Sequence, residues 1–216
     1  MNRFLEEIST ALQNGDADAV GACVVQALAD GVSANEILEQ GLLSGMDIIA
    51  VKFKNNEVYV PEVLIAARAM NIGMVILKPY LAESGAKAIG KALLGTVKGD
   101  LHDIGKNLVR MMFEGKGIEV VDLGVNVSSE KFFEMYQAEK PDVIAMSALL
   151  TTTMNEMKNT LETFQEAGVR ENIIFMVGGA PLTDSFCTSI GADIYAADAA
   201  SAAELAHKAI LAKGVT

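Results

Sequence analysis

Three short segments of this 216-residue chain hold side chains whose types and spacing suit metal or proton chemistry. The first reads Gly99-Asp100-Leu101-His102-Asp103-Ile104-Gly105-Lys106-Asn107. His102 is one of two histidines; the other, His207, falls late in the last helical stretch and reads as a surface residue. A lone loop histidine is commonly just a hydrogen-bonding residue. Asp100 makes a ligand role competitive, because a ligating imidazole usually donates its other ring N–H to a carboxylate. One imidazole cannot chelate a bare ion tightly. A metal here would have to arrive held by a macrocycle, with His102 as an axial ligand. The Asp-x-His pair alone leaves both readings open.

The second segment is Ser147-Ala148-Leu149-Leu150-Thr151-Thr152-Thr153, and the third is Gly178-Gly179-Ala180-Pro181. Each has a plain structural reading beside a functional one. Gly105 would let the backbone turn into a helix, or let a ligand come close. Gly178 and Gly179 would make a strand-to-helix turn, or leave room beside a sheet for a bulky group. The hydroxyl run Thr151, Thr152 and Thr153 would cap a helix, or line a site. None decides the matter singly; their joint placement is the stronger signal.

That placement follows from the elements around them. From about residue 91 the chain alternates short apolar runs with amphipathic stretches. The runs fall at 92–97, 119–123, 143–147, 173–177 and 193–196. Five βα units predict a doubly wound parallel sheet. The flavodoxin-like order 2-1-3-4-5 would put the ligand crevice at the carboxyl ends of strands one and three. The three segments follow strands one, three and four, so they would meet at one sheet edge.

Before residue 85 the pattern is helical throughout. Phe4, Leu5, Ile8 and Leu12 share a face, and Gly15-Asp16 ends the first helix. A second helix is expected over 17–29. Ser33 with Glu36 has the spacing of a capping box for a third, which carries Ile37, Leu38, Leu42, Met46 and Ile49. Pro61 suits the first position of a fourth, running to about Leu81. Four helices with short connections predict a small antiparallel bundle. The expected domains are 1–85, all helical, and 91–216, α/β, joined through Ser84-Gly85-Ala86-Lys87.

Charge and composition exclude several classes. With 17 Lys and Arg against 28 Asp and Glu the net charge is -11, which repels a phosphate backbone and argues against nucleic acid. No apolar run is expected to reach the length of a membrane span. The opening MNRFLEEIST lacks the layout of a signal peptide. Cys23 and Cys187 form no CxxC pair and read as buried thiols in a reducing compartment, so the cytoplasm is the expected location. The 11 methionines read as core filler.

Together, Asp100-Leu101-His102-Asp103-Ile104-Gly105, Ser147-Ala148-Leu149 and Gly178-Gly179 resemble the D-x-H-x-x-G…S-x-L…G-G signature of cobalamin-binding domains. With the preceding helical segment, nearly the whole chain resembles the corrinoid proteins of methylotrophic and demethylating methyltransferase systems. It is similar also to the cobalamin module of methionine synthase.

The resemblance implies a cobalamin or related corrinoid bound His-on, with His102 replacing the cofactor's own base below cobalt. The displaced nucleotide tail would run beside Ser147, Gly178 and Gly179. Asp100 and Thr153 would complete a relay with His102, Thr153 standing where the family has Ser. Gly99, Asp103, Ile104, Gly105, Leu149 and Thr151 would complete the binding loops. The helical domain would cap the methyl-bearing face through Phe53, Val60 and Val63, although ordinary bundle core is the other reading of those three.

The implied function is a methyl carrier without independent turnover, cycling between methylcobalamin and Co(I), with Co(II) as the oxidised lapse. Its implied partners are a substrate:corrinoid methyltransferase, a corrinoid:acceptor methyltransferase and a reductive activation protein. The relay would couple proton uptake to methyl loss. Methanol, methylamines, quaternary amines or methoxylated aromatics would be the donor, and tetrahydrofolate or a thiol such as coenzyme M the acceptor. Three alternatives stand beside this reading: the cobalamin subunit of an adenosylcobalamin mutase, a cobalamin-based sensor, and a flavodoxin-like module for another ligand. The mutase needs a substrate barrel, and the sensors carry a DNA-binding module; neither is evident in this chain.

Overall fold

Leu5, Ile8, Ala11 and Leu12 recur at helical spacing, and all four are buried on one face of α1 (Arg3–Gln13). The computed structural model describes residues 3–84 and 88–213, without the side chains of residues 82–84. It divides into two compact units: Met1–Lys87 together with the turn Gly115–Gly117, and Ala88–Glu114 together with Ile118–Thr216.

In the helical unit, Asp16 caps α2 (Ala17–Ala29), its carboxylate accepting the Ala19 N–H at 3.0 Å. The Ser33–Glu36 capping box forms as expected and opens α3 (Ala34–Glu36). The third helix then departs from expectation. It passes through a π-helical stretch, Ile37–Leu43, before becoming α4 (Ser44–Lys54). Gly41 and Gly45, four apart, lie against α1. A Cβ on Gly41 would stand 3.1 Å from Ile8, and one on Gly45 3.1 Å from the Ser9 carbonyl oxygen. Hydrophobic periodicity does not register such close approach, because the residues that permit it have no side chain.

The last bundle helix, α5 (Val60–Ser84), begins one residue before Pro61 and continues through Pro79. Its stretch Val60–Leu81 spans 22 residues and contains an 18-residue segment with a mean hydropathy of 1.6. This corrects the expectation that no apolar run reaches membrane-spanning length. One face of the helix buries Val63, Ala66, Met70 and Leu77, the stripe of a helix packed in a bundle. Of the expected linker, Gly85–Lys87 fall outside the described residues.

In the second unit, the five expected strands appear as β1 (Gly90–Val97), β2 (Ile118–Val127), β3 (Val143–Ser147), β4 (Ile174–Gly178) and β5 (Ile194–Ala196). All neighbouring pairs are parallel, in the order β2-β1-β3-β4-β5. This is the flavodoxin-like order. The crossover helices are α6 (Ile104–Glu114), α7 (Ser129–Glu139), α8 (Asn155–Glu166) and α9 (Asp184–Ile190), with α10 (Ala199–Lys213) closing the chain. Near-continuous burial of β1, β3 and β4 fits a sheet covered on both faces. Phe132, Phe164 and Phe175, all fully buried, fill the core on one side. Gly95 in β1 admits the Phe132 ring, which a Cβ there would meet at 2.8 Å. The pairing of Thr96 with Ser147, and of Ser147 with Gly178, aligns the carboxyl ends of β1, β3 and β4.

Candidate functional site

Asp100 sits just past the end of β1 and is completely buried. A buried carboxylate must be well partnered, and this one accepts from five donors. Oδ1 accepts the His102 N–H at 3.1 Å and faces His102 Nδ1 at 2.7 Å. Oδ2 accepts the N–H groups of Leu149 at 2.7 Å and Leu150 at 3.2 Å. The Thr153 hydroxyl, also buried, lies 2.9 Å from Oδ2 and 2.9 Å from the Leu150 carbonyl oxygen, donating between the two. Burial alone would push the Asp100 carboxyl up. The bonds from Leu149, His102 and Thr153 overcome it and hold the group well below the usual carboxylate range.

An ionised carboxylate only accepts, so Nδ1 of His102 carries a proton, and in the neutral ring Nε2 holds the lone pair. The ring is half-exposed, with a side-chain exposure of 51%. The site therefore offers one outward imidazole nitrogen whose tautomer and direction are set by a buried anion. Among the described residues, no group of three or more His, Cys, Asp or Glu could hold a metal ion. The donor set suits a metal that brings its remaining ligands with it.

The surroundings fit a large, flat, partly apolar group. Leu101 and Ile104 are 72% and 73% exposed beside His102, and Leu149 and Leu150 are exposed on the β3 loop. Gly105 is exposed, and a Cβ there would meet nothing within 4 Å. Asp103 is exposed and organises the start of α6: its carbonyl accepts the Asn107 N–H at 2.8 Å and its carboxylate the Asn107 amide at 3.1 Å. Thr151 is exposed, and α8 begins at Asn155 without a side-chain cap. The threonine run is thus not a helix cap, and Thr153 serves Asp100 instead.

The two glycines of the third segment meet close backbone. Gly179 has φ +138°, and a Cβ there would lie 1.9 Å from the Ala148 carbonyl oxygen. Gly178 would place its Cβ 3.2 Å from the Ala196 oxygen. At Gly179 the neighbouring backbone excludes a side chain, and at Gly178 a Cβ would fit only tightly. Ser147 is half-buried at the end of β3. Gly99, with φ +79°, makes the turn that leads into Asp100. Phe53, Val60 and Val63 lie in the helical unit; Val63 is fully buried, and the other two are half-buried.

Sequence reasoning missed three supports of the loop. The fully buried Thr96 donates its hydroxyl to the His102 carbonyl at 2.9 Å. Asn126, in β2, bonds both Gly99 and Asp100. Lys106, only 2% exposed, reaches both oxygens of Asp122 at 2.7 Å and pins the start of α6 to β2. A lysine in the Gly105-Lys106-Asn107 run, four residues from His102, was the available cue for the last.

The sheet order and the Asp-x-His turn, anchored on buried Asp100 at the carboxyl edge, fit a B12-binding fold. Models of the B12 binding domain match residues 90–206 and 4–78. Over 208 residues the chain is 37% identical to a corrinoid protein of Desulfitobacterium hafniense (strain Y51), covering 95% of this chain and 96% of that one. It is 38% identical to trimethylamine corrinoid protein 1 of Methanosarcina acetivorans, covering 89% and 90%. The crystal structure of a methanol:cobalamin methyltransferase complex from Methanosarcina barkeri contains a chain that superposes with a TM-score of 0.87 at 30% identity, over 97% of this chain and 80% of that one. The chain belongs to the B12-binding corrinoid proteins.

Proposed function

We propose that the protein is a methyl carrier that meets two methyltransferases in turn. One would be a substrate:corrinoid methyltransferase that loads it, the other a methyltransferase that unloads it to an acceptor such as tetrahydrofolate or a thiol. The observation that carries this reading is the buried Asp100 with its five donors, which leaves Nε2 of His102 as a single outward ligand. The trimethylamine and methanol systems named for its relatives support the same reading.

The bound corrinoid supplies a cobalt centre that accepts and releases a methyl group. His102 would hold it through Nε2 in place of the cofactor's own base. Asp100 keeps the proton on Nδ1, and Thr153 completes a chain able to hold a proton beside the imidazole whenever it is not engaged. Leu101, Ile104 and Leu149 supply apolar contact, and Ser147 lies where the displaced tail would pass. A reductive activator that restores oxidised cobalt completes the partner set.

Two measurements on the cobalamin-loaded protein test this reading. Electron paramagnetic resonance of the Co(II) form should show nitrogen superhyperfine splitting that disappears in His102→Ala. Methylated holoprotein should turn over repeatedly only when both partner methyltransferases are present. An unchanged spectrum in His102→Ala would remove the ligand assignment, and sustained turnover without partners would remove the carrier role.

Phe53 and Val60 are proposed to shelter the methyl–cobalt bond. Phe53→Ala should then photolyse faster than the unmodified protein, and equal rates would remove that assignment.

A further inference from the structure

Asn126 lies within β2 yet has φ +55°, a left-handed conformation that non-glycine residues rarely take. Asn56 and Lys140 share this sign, but they follow α4 and α7, where left-handed residues routinely end helices. Asn126 ends no helix. Its N–H donates to the Asp100 carbonyl at 3.0 Å, and its side-chain Oδ1 accepts the Gly99 N–H at 2.8 Å. The β1–β2 ladder is irregular just before this point, with register shifts between Leu94 and Gly95 and between Gly95 and Val97. Irregular strand ends of this kind re-aim the residues beyond them, and unusual backbone conformations gather at functional sites.

We infer that Asn126 is a positioning residue for the axial imidazole. Asp100 has two sets of contacts with different partners. Its carboxylate is tied to the β3 loop, while its backbone and that of Gly99 are tied to Asn126 on the other side of β1. Without the second set, the turn pivots about the carboxylate and His102 moves with it. With both in place, the Gly99–Asp100 backbone is clamped between β2 and β3 and the imidazole keeps one direction. This inference rests on the reading of His102 as cobalt ligand.

The test uses protein labelled with [15N]histidine, loaded with cobalamin and reduced to Co(II). Two-line splitting from 15N, in place of three lines from 14N, identifies bound imidazole and measures the fraction coordinated. Asn126→Ala should shift the balance from bound to free imidazole by about tenfold, the lower end of the effect usual for groups supporting a ligand. Asn126→Asp keeps an acceptor oxygen and tolerates the left-handed backbone, so it should retain most of the coordination. Asn126→Gly keeps the backbone and loses the acceptor; it should resemble Asn126→Ala, and it decides the matter if the alanine variant does not fold. A wild-type coordinated fraction in the alanine or glycine variant, with loss only in His102→Ala, would overturn the role of Asn126 and leave the ligand reading standing. Three-line splitting in the labelled wild type would overturn the ligand reading and this inference with it.

Discussion

Asp100→Ala is expected to cost about 3 kcal/mol or more of folding stability, because a hydrogen bond to a charged group contributes about 1.5–3 kcal/mol and several are lost at once. The physical cause is not only the lost anion. The N–H groups of Leu149, Leu150 and His102 lose their acceptor together, while the buried Thr153 hydroxyl keeps only the Leu150 carbonyl, and an unmet buried donor costs about 1–3 kcal/mol. Asp100→Asn should fall between the two, because an amide offers one acceptor oxygen and turns two donors toward groups that are themselves donors.

The pH dependence gives the same prediction a sign. Asp100 is held below its ordinary value in the folded state, so on acidification the unfolded chain takes up the proton first. The stabilisation is complete above about pH 4, the ordinary aspartate range. It declines as pH falls further, toward the depressed folded value. Urea unfolding followed from pH 7 to pH 3 should show the wild-type advantage over Asp100→Asn shrinking at the acid end. Parallel curves for the two proteins would mean that the carboxylate is not the charged hub described here.

What the sequence disclosed about this hub, and what it hid, divide along physical lines. Alternating apolar runs disclosed the five βα units, because burial on both sheet faces forces them. The strand order was expected as the flavodoxin-like one that five such units commonly take. Thr153 entered their relay only through the resemblance to cobalamin-binding domains, while Asp100 and His102 were legible as a pair open to a ligand or a hydrogen-bonding role. The N–H groups of Leu149 and Leu150 were not, since a backbone donor belongs to every non-proline residue and only the fold selects which ones converge. Asn126 was hidden for a related reason: it acts through a left-handed φ and an irregular ladder, neither of which leaves a periodic trace. The π-helical stretch between Ile37 and Leu43 likewise went unsignalled, because a pattern read at 3.6 residues per turn assumes regular α-helix throughout.

The glycines sharpen this division, and they yield the second large effect. Gly179→Ala should destabilise the protein by about 3 kcal/mol or more, combining the strain of an unfavourable φ with a clash that cannot relax cheaply. The obstacle is the Ala148 carbonyl oxygen, 1.9 Å from the new Cβ, and it is backbone, not the end of a flexible side chain. Relief would require the β3 loop to move away from β4. That loop supplies the Leu149 and Leu150 N–H groups that hold Asp100, so any Gly179→Ala protein that remains folded should also bind imidazole to cobalt less fully. Gly105→Ala should behave in the opposite way. A Cβ there meets nothing within 4 Å and φ is not positive, so in α6 the change should leave stability unchanged or raise it by about 0.5–1 kcal/mol, the usual gain from alanine over glycine in a helix. If the corrin lies over this surface, the same methyl group should weaken cobalamin binding. Thermal unfolding of the cofactor-free proteins and cobalamin titration of each separate the two effects. A stable Gly179→Ala protein would refute the close backbone packing of β3 and β4. Unchanged cobalamin affinity in Gly105→Ala would show that the cofactor does not approach the start of α6.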